Sequence, residues 1–161
     1  MLIKNLKNGK YKIESMGENG KVDVVMGEGI VEIEGAPFVI NTAGEYEIKG
    51  IHIYGVNGGE GKTVFLAVTQ ERIKIAYISP LKEPLSPEQV EELADTDILL
   101  TFLTDENVKA LEGIDPNLFI PINYSPELLQ KYFSGMAVRT VDKLNIKSKD
   151  ELTEEMEIVT L

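Results

Sequence analysis

His52 is the only histidine in a 161-residue chain that contains no cysteine. A nitrogen- and sulfur-rich metal centre needs three or four such ligands converging on one ion, so His52 alone builds none. It lies in an Ile-His-Ile-Tyr run at 51–54 that reads as a strand, where an imidazole serves as a hydrogen-bonded or edge residue. Glu45 and Glu47 stand two apart, which puts both carboxylates on one side of a straight strand. Paired carboxylates do acid–base work when their surroundings differ. The neighbouring Gly44 signals a turn, so the expectation is structural: Glu45 accepts turn amides while Tyr46 packs. Asp95 and Asp97 flank a helix-to-strand step and could gather a hard cation, but Asp97 reads better as a loop-ending or lysine-pairing residue. Asp150, Glu151, Glu154 and Glu155 lack the alternating oxygen-ligand spacing of a calcium loop. Ser79, Ser86, Ser125, Ser134 and Ser148 are candidate nucleophiles, yet none sits in a Gly-x-Ser-x-Gly turn. These residues give no catalytic, cofactor-binding or metal-ligating assignment, and no cofactor is expected.

The elements that would position these groups fall into two halves. Up to about residue 80 the pattern is strands and tight turns. Residues 11–15 and 21–26 flank a Gly-Glu-Asn-Gly turn, a hairpin signal because Asn-Gly accepts positive φ at little cost. Residues 29–35 make a short strand. Tyr46, Ile48, Ile51, Ile53 and Val56 predict a strand pair interrupted at Gly50. The glycine-rich stretch from Gly55 to Gly61 lacks the Lys-Ser/Thr ending of a phosphate-binding loop and any following helix, so it reads as a hairpin connection. Residues 63–69 and 72–79 form a second hairpin, with the apolar run from Ile73 to Ile78 suited to a central strand.

After Pro80 helix and strand alternate. Ser86, Pro87 and Gln89 form a helix start with a capping box. Val90 and Leu93 supply its apolar stripe. Residues 97–103 read as a buried strand, and 106–111 as a short helix ended by Gly113. Residues 118–122 are a strand in which Pro121 signals an end or an edge. Ser125 and Pro126 repeat the helix start, and 144–147 and 156–161 close the chain as strands. No linker, repeat or low-complexity tract divides it. One domain spanning 1–161 is expected, a sheet with helices on an outer face.

Composition narrows the function class. Apolar residues are 43% of the chain, enough for a core, while 16 Lys and Arg against 27 Asp and Glu give a formal charge of −11. An acidic surface without an arginine cluster repels phosphate backbones, so no nucleic-acid partner is expected. No run of about 18 apolar residues exists to span a bilayer, so no membrane partner is expected either. The N-terminal residues lack a signal-peptide pattern. Cytoplasmic location is the expectation, in keeping with the absence of cysteine.

Residues 41–50 (NTAGEYEIKG) resemble the Gly-Pro-Gly-Glu-Tyr-Glu-Val-Lys-Gly-like stretch of small metallo-β-lactamase-fold proteins of the zinc-dependent hydrolase type. The likeness runs on in order through about residue 161. Residues 72–81 resemble the strand that ends in the family's Gly-Asp. Residues 84–93 and 95–100 resemble the next helix and strand. Phe119-Ile-Pro-Ile-Asn-Tyr124 resembles the family's Ile-Pro-Met-His-Tyr. The resemblance implies an α/β fold, a shortened metallo-β-lactamase-like sandwich with a hairpin-rich N-terminal half followed by strand-helix units. It also implies where a metal would sit, and those positions have changed. Ser79 or Pro80 stands where the family's bridging aspartate would be, and Asn123 replaces its last histidine. The His-x-His-x-Asp-His segment is missing before Phe38, and the second histidine region corresponds to the loop following Asn57.

The expectation is therefore a degenerate, non-catalytic member of that fold with a structural or protein-interaction role. The alternatives are a hydrolase with an oxygen-rich metal site using Asp95, Asp97 or Asn123, and a small-ligand binding module in the old cleft. With the chain before Phe38 so short, helical cover on the N-terminal sheet should be thin. An uncovered apolar face there predicts a homodimer.

Overall fold

The computed structural model describes residues 1–58 and 63–161. Four consecutive strands open the chain: β1 (Leu2–Lys7), β2 (Lys10–Gly17), β3 (Gly20–Gly27) and β4 (Ile30–Ile33). Each connects to the next by a tight antiparallel turn, because alternating apolar and polar residues are broken at short intervals by glycine and asparagine. The late strand β12 (Leu144–Asn145) adds beside β1, giving a first sheet in the order β12-β1-β2-β3-β4.

The second sheet is larger and mixed. Its hairpins are β5 (Gly44–Ile48), β6 (Ile51–Asn57), β7 (Thr63–Val68) and β8 (Lys74–Ile78). Beyond them lie β9 (Ile98–Phe102), β10 (Leu118–Ile122), β11 (Val138–Thr140) and β13 (Glu157–Thr160), in the order β11-β13-β10-β9-β8-β7-β6-β5. From β8 to β11 the strands are parallel, which requires crossovers. Three of them carry α1 (Pro87–Glu92), α2 (Asp105–Ile114) and α3 (Pro126–Tyr132), and the fourth, from β11 to β13, passes through β12.

Strand alternation creates two apolar layers. Ile13, Val24, Met26, Ile53, Phe65, Ile75, Tyr77 and Leu100 fill the space between the sheets. Leu66, Ala76, Ile78, Leu99 and Phe119 face the other way and meet Leu93, Leu111 and Phe133 of the helical segments. Each fully buried side chain of this size contributes about 1.5–3 kcal/mol relative to exposure, and both layers run through the same second sheet. The arrangement is sheet on sheet on helices.

Most element assignments agree with the sequence reading, including both serine caps: Ser86 accepts from the Gln89 amide at 3.2 Å, and Ser125 from that of Leu128 at 3.3 Å. One expectation changes and two details are added. The helix expected to end at Gly113 runs through it to Ile114 and closes at Asp115, φ +52°. Gly113 is instead a point of close approach, since a Cβ there would lie 3.2 Å from Val90 Cγ1 of α1. Pro121 is one residue from the end of β10, but β10 is an interior strand; its pairing with β13 stops at Phe119, so the missing N–H falls where that ladder has run out. Strand β11 carried too little apolar signal to be read, all three residues being exposed.

The first sheet has no helix on its outer face among the described residues, but that face is not apolar. Lys4 pairs with Glu14 at 2.6 Å, Lys12 with Asp23, and Lys10 with Glu32 at 3.1 Å. These charged pairs stand where an uncovered apolar surface was expected. The expected hairpin connection at Gly58–Gly61 falls largely outside the described residues. No described helix is long and apolar enough to cross a membrane.

Candidate functional site

The positions singled out as former metal sites lie at the C-terminal ends of the parallel strands. Ser79 follows the last paired residue of β8, and Asn123 follows that of β10. Strand β9 runs between them, so about 10 Å of sheet separates the two backbones. Asn123 adopts a left-handed conformation, φ +47°, and is exposed. Ser79 is 3% exposed, and its hydroxyl has no hydrogen-bond partner among the described residues.

A turn of the first sheet packs against this end of the second. Strand β1 carries a bulge between Asn5 and Lys7, and the Asn5 side chain accepts from the Lys7 amide at 2.6 Å. A bulge bends its strand and re-aims the residues beyond it. Lys7, Asn8 and Gly9 then take left-handed φ values of 70°, 52° and 71° in succession. This brings Gly9 into the interior: a Cβ there would lie 3.6 Å from Phe102 Cζ and the Tyr77 hydroxyl, and 3.7 Å from Ile122 Cγ2. The Tyr77 hydroxyl donates to the Gly9 carbonyl at 2.7 Å. Burial pushes the Tyr77 phenol well above its ordinary value, aided by the charge of Glu28. Burial likewise raises Tyr11 to about 12, with Tyr124 adding to the shift.

Zinc, which the resemblance implies at this end of the sheet, does not fit these residues. The donors on offer are a serine hydroxyl and an asparagine amide, neither an imidazole nor a carboxylate. The space on the inner face is taken by a backbone turn, a phenol and apolar side chains. Among the described residues, no group of three or more His, Asp or Glu side chains is placed to hold a metal ion.

The other candidates are dispersed. Asp95 and Asp97 lie at the N-terminal end of the parallel strands, five residues of β9 away from the Ser79 level, or roughly 17 Å. An oxygen-rich site combining them with Asn123 is therefore not assembled. Asp97 is 3% exposed and committed: one oxygen accepts from the Lys74 amide at 2.8 Å, and the other pairs with the Lys149 ammonium at 2.8 Å. The lysine-pairing expectation holds. Asp95 is exposed and pairs with Lys74 at 3.6 Å. Glu45 and Glu47 do share the outer side of β5, opposite Tyr54 and His52 of β6. Glu47 lies 3.8 Å from His52 Nδ1, with both side chains about half exposed. Glu45 lines an open groove of about 650 Å³ with Tyr54, Lys74 and Glu92. Ser134 donates no bond to an imidazole; its hydroxyl accepts from Gln130 at 2.9 Å.

Sequence reasoning overlooked Asn107, which is fully buried in α2. Its side-chain carbonyl accepts from the Leu81 amide at 2.9 Å, and its NH2 donates to the Ser79 carbonyl at 3.0 Å and to the Thr101 hydroxyl at 2.6 Å. It thereby ties the chain leaving β8 to β9 and α2. The signal was present: Ala110, Leu111 and Ile114 come at helical spacings of three, four and seven, which puts Asn107 on the buried stripe.

With that geometry in place, comparison with solved structures gives a fold relationship. A chain from Thermotoga maritima, described as a candidate Zn-dependent hydrolase of the metallo-β-lactamase superfamily, matches with a TM-score of 0.63 at 18% sequence identity. The match covers 93% of this chain and 99% of that one. This chain therefore has the metallo-β-lactamase fold. No protein-family model and no curated protein matches it.

Proposed function

We propose that this chain is a non-catalytic protein of the metallo-β-lactamase fold, retained for a structural or protein-interaction role. The observation that carries the reading is the packing of the Lys7–Gly9 turn against Tyr77, Phe102 and Ile122, where the altered positions Ser79 and Asn123 lie. Hydrolysis on a metal needs an open coordination position facing a substrate-sized space. Here the strand ends hold neutral oxygen donors and the inner side is packed. The separation of Asp95 and Asp97 from Asn123 argues against the oxygen-rich alternative.

A homodimer belongs to the same proposal. The charged outer face of the first sheet does not favour it, whereas Met136, just before the terminal strand β11, and Val138, its first residue, are 42% and 40% exposed and support a contact at that edge. Sedimentation at micromolar concentration is the measurement.

Elemental analysis of protein purified without chelator tests the non-catalytic reading. Zinc well below one ion per chain, with thermal stability unchanged by a chelator, is the expected result. One or two firmly held ions per chain, with ester or phosphodiester hydrolysis abolished by chelation, overturns it.

A further inference from the structure

Strand β5 is the last strand of the second sheet, and among the described residues none lies beyond it. A terminal strand presents a row of backbone N–H and C=O groups to whatever can pair with them. Its side chains alternate: Glu45 and Glu47 project on the exposed outer side, while Tyr46 and Ile48 turn inward and pack against the core between the sheets. Two apolar side chains of the segment that leads into β5 are exposed. Phe38 and Val39 are 51% and 48% exposed in the segment whose Ile40 bridges to Val31 of β4. The Lys49 ammonium, just past β5, reaches the Glu34 carbonyl just past β4, so the two sheet edges lie side by side.

We propose that β5 is a docking edge for an extended segment of a partner protein that alternates basic and apolar residues, taken up by strand addition. This rests on the interaction role proposed above and names its surface. An added strand would set its outer side chains beside Glu45 and Glu47 at cross-strand distance, about 5 Å, and its inner ones beside Tyr46. Basic residues satisfy the first positions and apolar ones the second, with Phe38 and Val39 extending the apolar contact.

A second copy of this chain fits the edge poorly. Antiparallel self-pairing centred on Tyr46 sets each Glu45 opposite a Glu47, and like charges directly opposite are destabilising. Each copy also carries a formal charge of −11. Charge on an edge strand can instead serve only to keep other strands away, and the experiment separates that role from docking.

The probe is a synthetic peptide of about eight residues alternating lysine and valine, long enough for one ordinary strand. Its companion has the same sequence and charge but is N-methylated on alternate residues, which removes the donors a sheet needs. Titration of the wild-type protein, followed by amide exchange, should show the plain peptide binding with β5 amides protected. Binding should weaken about tenfold or more on N-methylation, and by a similar factor in the E45K/E47K variant with its circular dichroism unchanged. Equal binding of both peptides means charge attraction alone and overturns the proposal. No binding means the carboxylates only guard the edge, and also overturns it. Wild-type dimers with β5 amides protected in a concentration-dependent way, without peptide, would identify a second copy as the occupant and overturn it as well. Failure of the non-catalytic reading shows separately, as stoichiometric zinc with chelation-sensitive hydrolysis.

Discussion

The Tyr77 hydroxyl of β8 donates a 2.7 Å hydrogen bond to the Gly9 carbonyl, across the gap between the two sheets. Both residues are buried. Removing the hydroxyl leaves a buried carbonyl without its donor, so Tyr77→Phe should cost about 1–3 kcal/mol. Gly9→Ala should cost about 1–2 kcal/mol because φ is +71° there. Urea unfolding of both variants is the check, and wild-type stability in each would mean the turn is not anchored by this bond.

Ser79 gives the opposite prediction. Its buried hydroxyl lacks a partner among the described residues, so Ser79→Ala removes a desolvated polar group and should leave stability equal or up to about 1 kcal/mol higher. A loss of several kcal/mol in the same urea assay would reveal a hydrogen bond made by that hydroxyl.

Asn107 should tolerate no such change. Asn107→Ala leaves the Leu81 amide and the Ser79 carbonyl without their partner, each buried orphan costing about 1–3 kcal/mol. A combined loss of roughly 2–5 kcal/mol is expected. Amide exchange at Leu81 should accelerate by a larger factor than exchange in β2, which lies in the other sheet.

Acid should act through Glu71. Burial pushes its carboxyl up, but hydrogen bonds from the Ser15 hydroxyl at 2.5 Å, from its own backbone and from Thr69 outweigh that and hold it below 4.5. A carboxyl lowered in the folded state contributes stability that is present above 4.5 and fades as pH falls through the folded value. Glu71→Gln should flatten the pH dependence of the unfolding midpoint in that acid window, lowering the midpoint near neutrality and changing it little at the acid end, where the wild-type carboxyl is protonated.

Alkali acts with the reverse sign. Tyr11 is raised to about 12 by burial and by Tyr124, and Tyr77 is raised as well. Their neutral forms stabilise the fold fully below the ordinary value of 10, and this contribution is lost as pH rises from 10 through about 12. Ultraviolet titration should show two phenols ionising only with unfolding, and Tyr11→Phe should remove one of them.

Local chemistry was legible wherever neighbours in the chain decide it. Ser86 with Gln89, the Asn-Gly turn before β3 and the apolar run of β8 carry their structure in adjacent residues, and the missing histidines were visible by inspection. The tertiary structure alone decided what lies far apart in sequence. Gly113 looked like a helix stop because its role depends on Val90 of another helix. The first sheet's outer face became charged only once the pairing of β2 with β3 brought Lys12 within reach of Asp23. The packing of Gly9 against Tyr77 spans 68 positions, and no local propensity encodes it: the sheets had to stack before that turn had anything to fill.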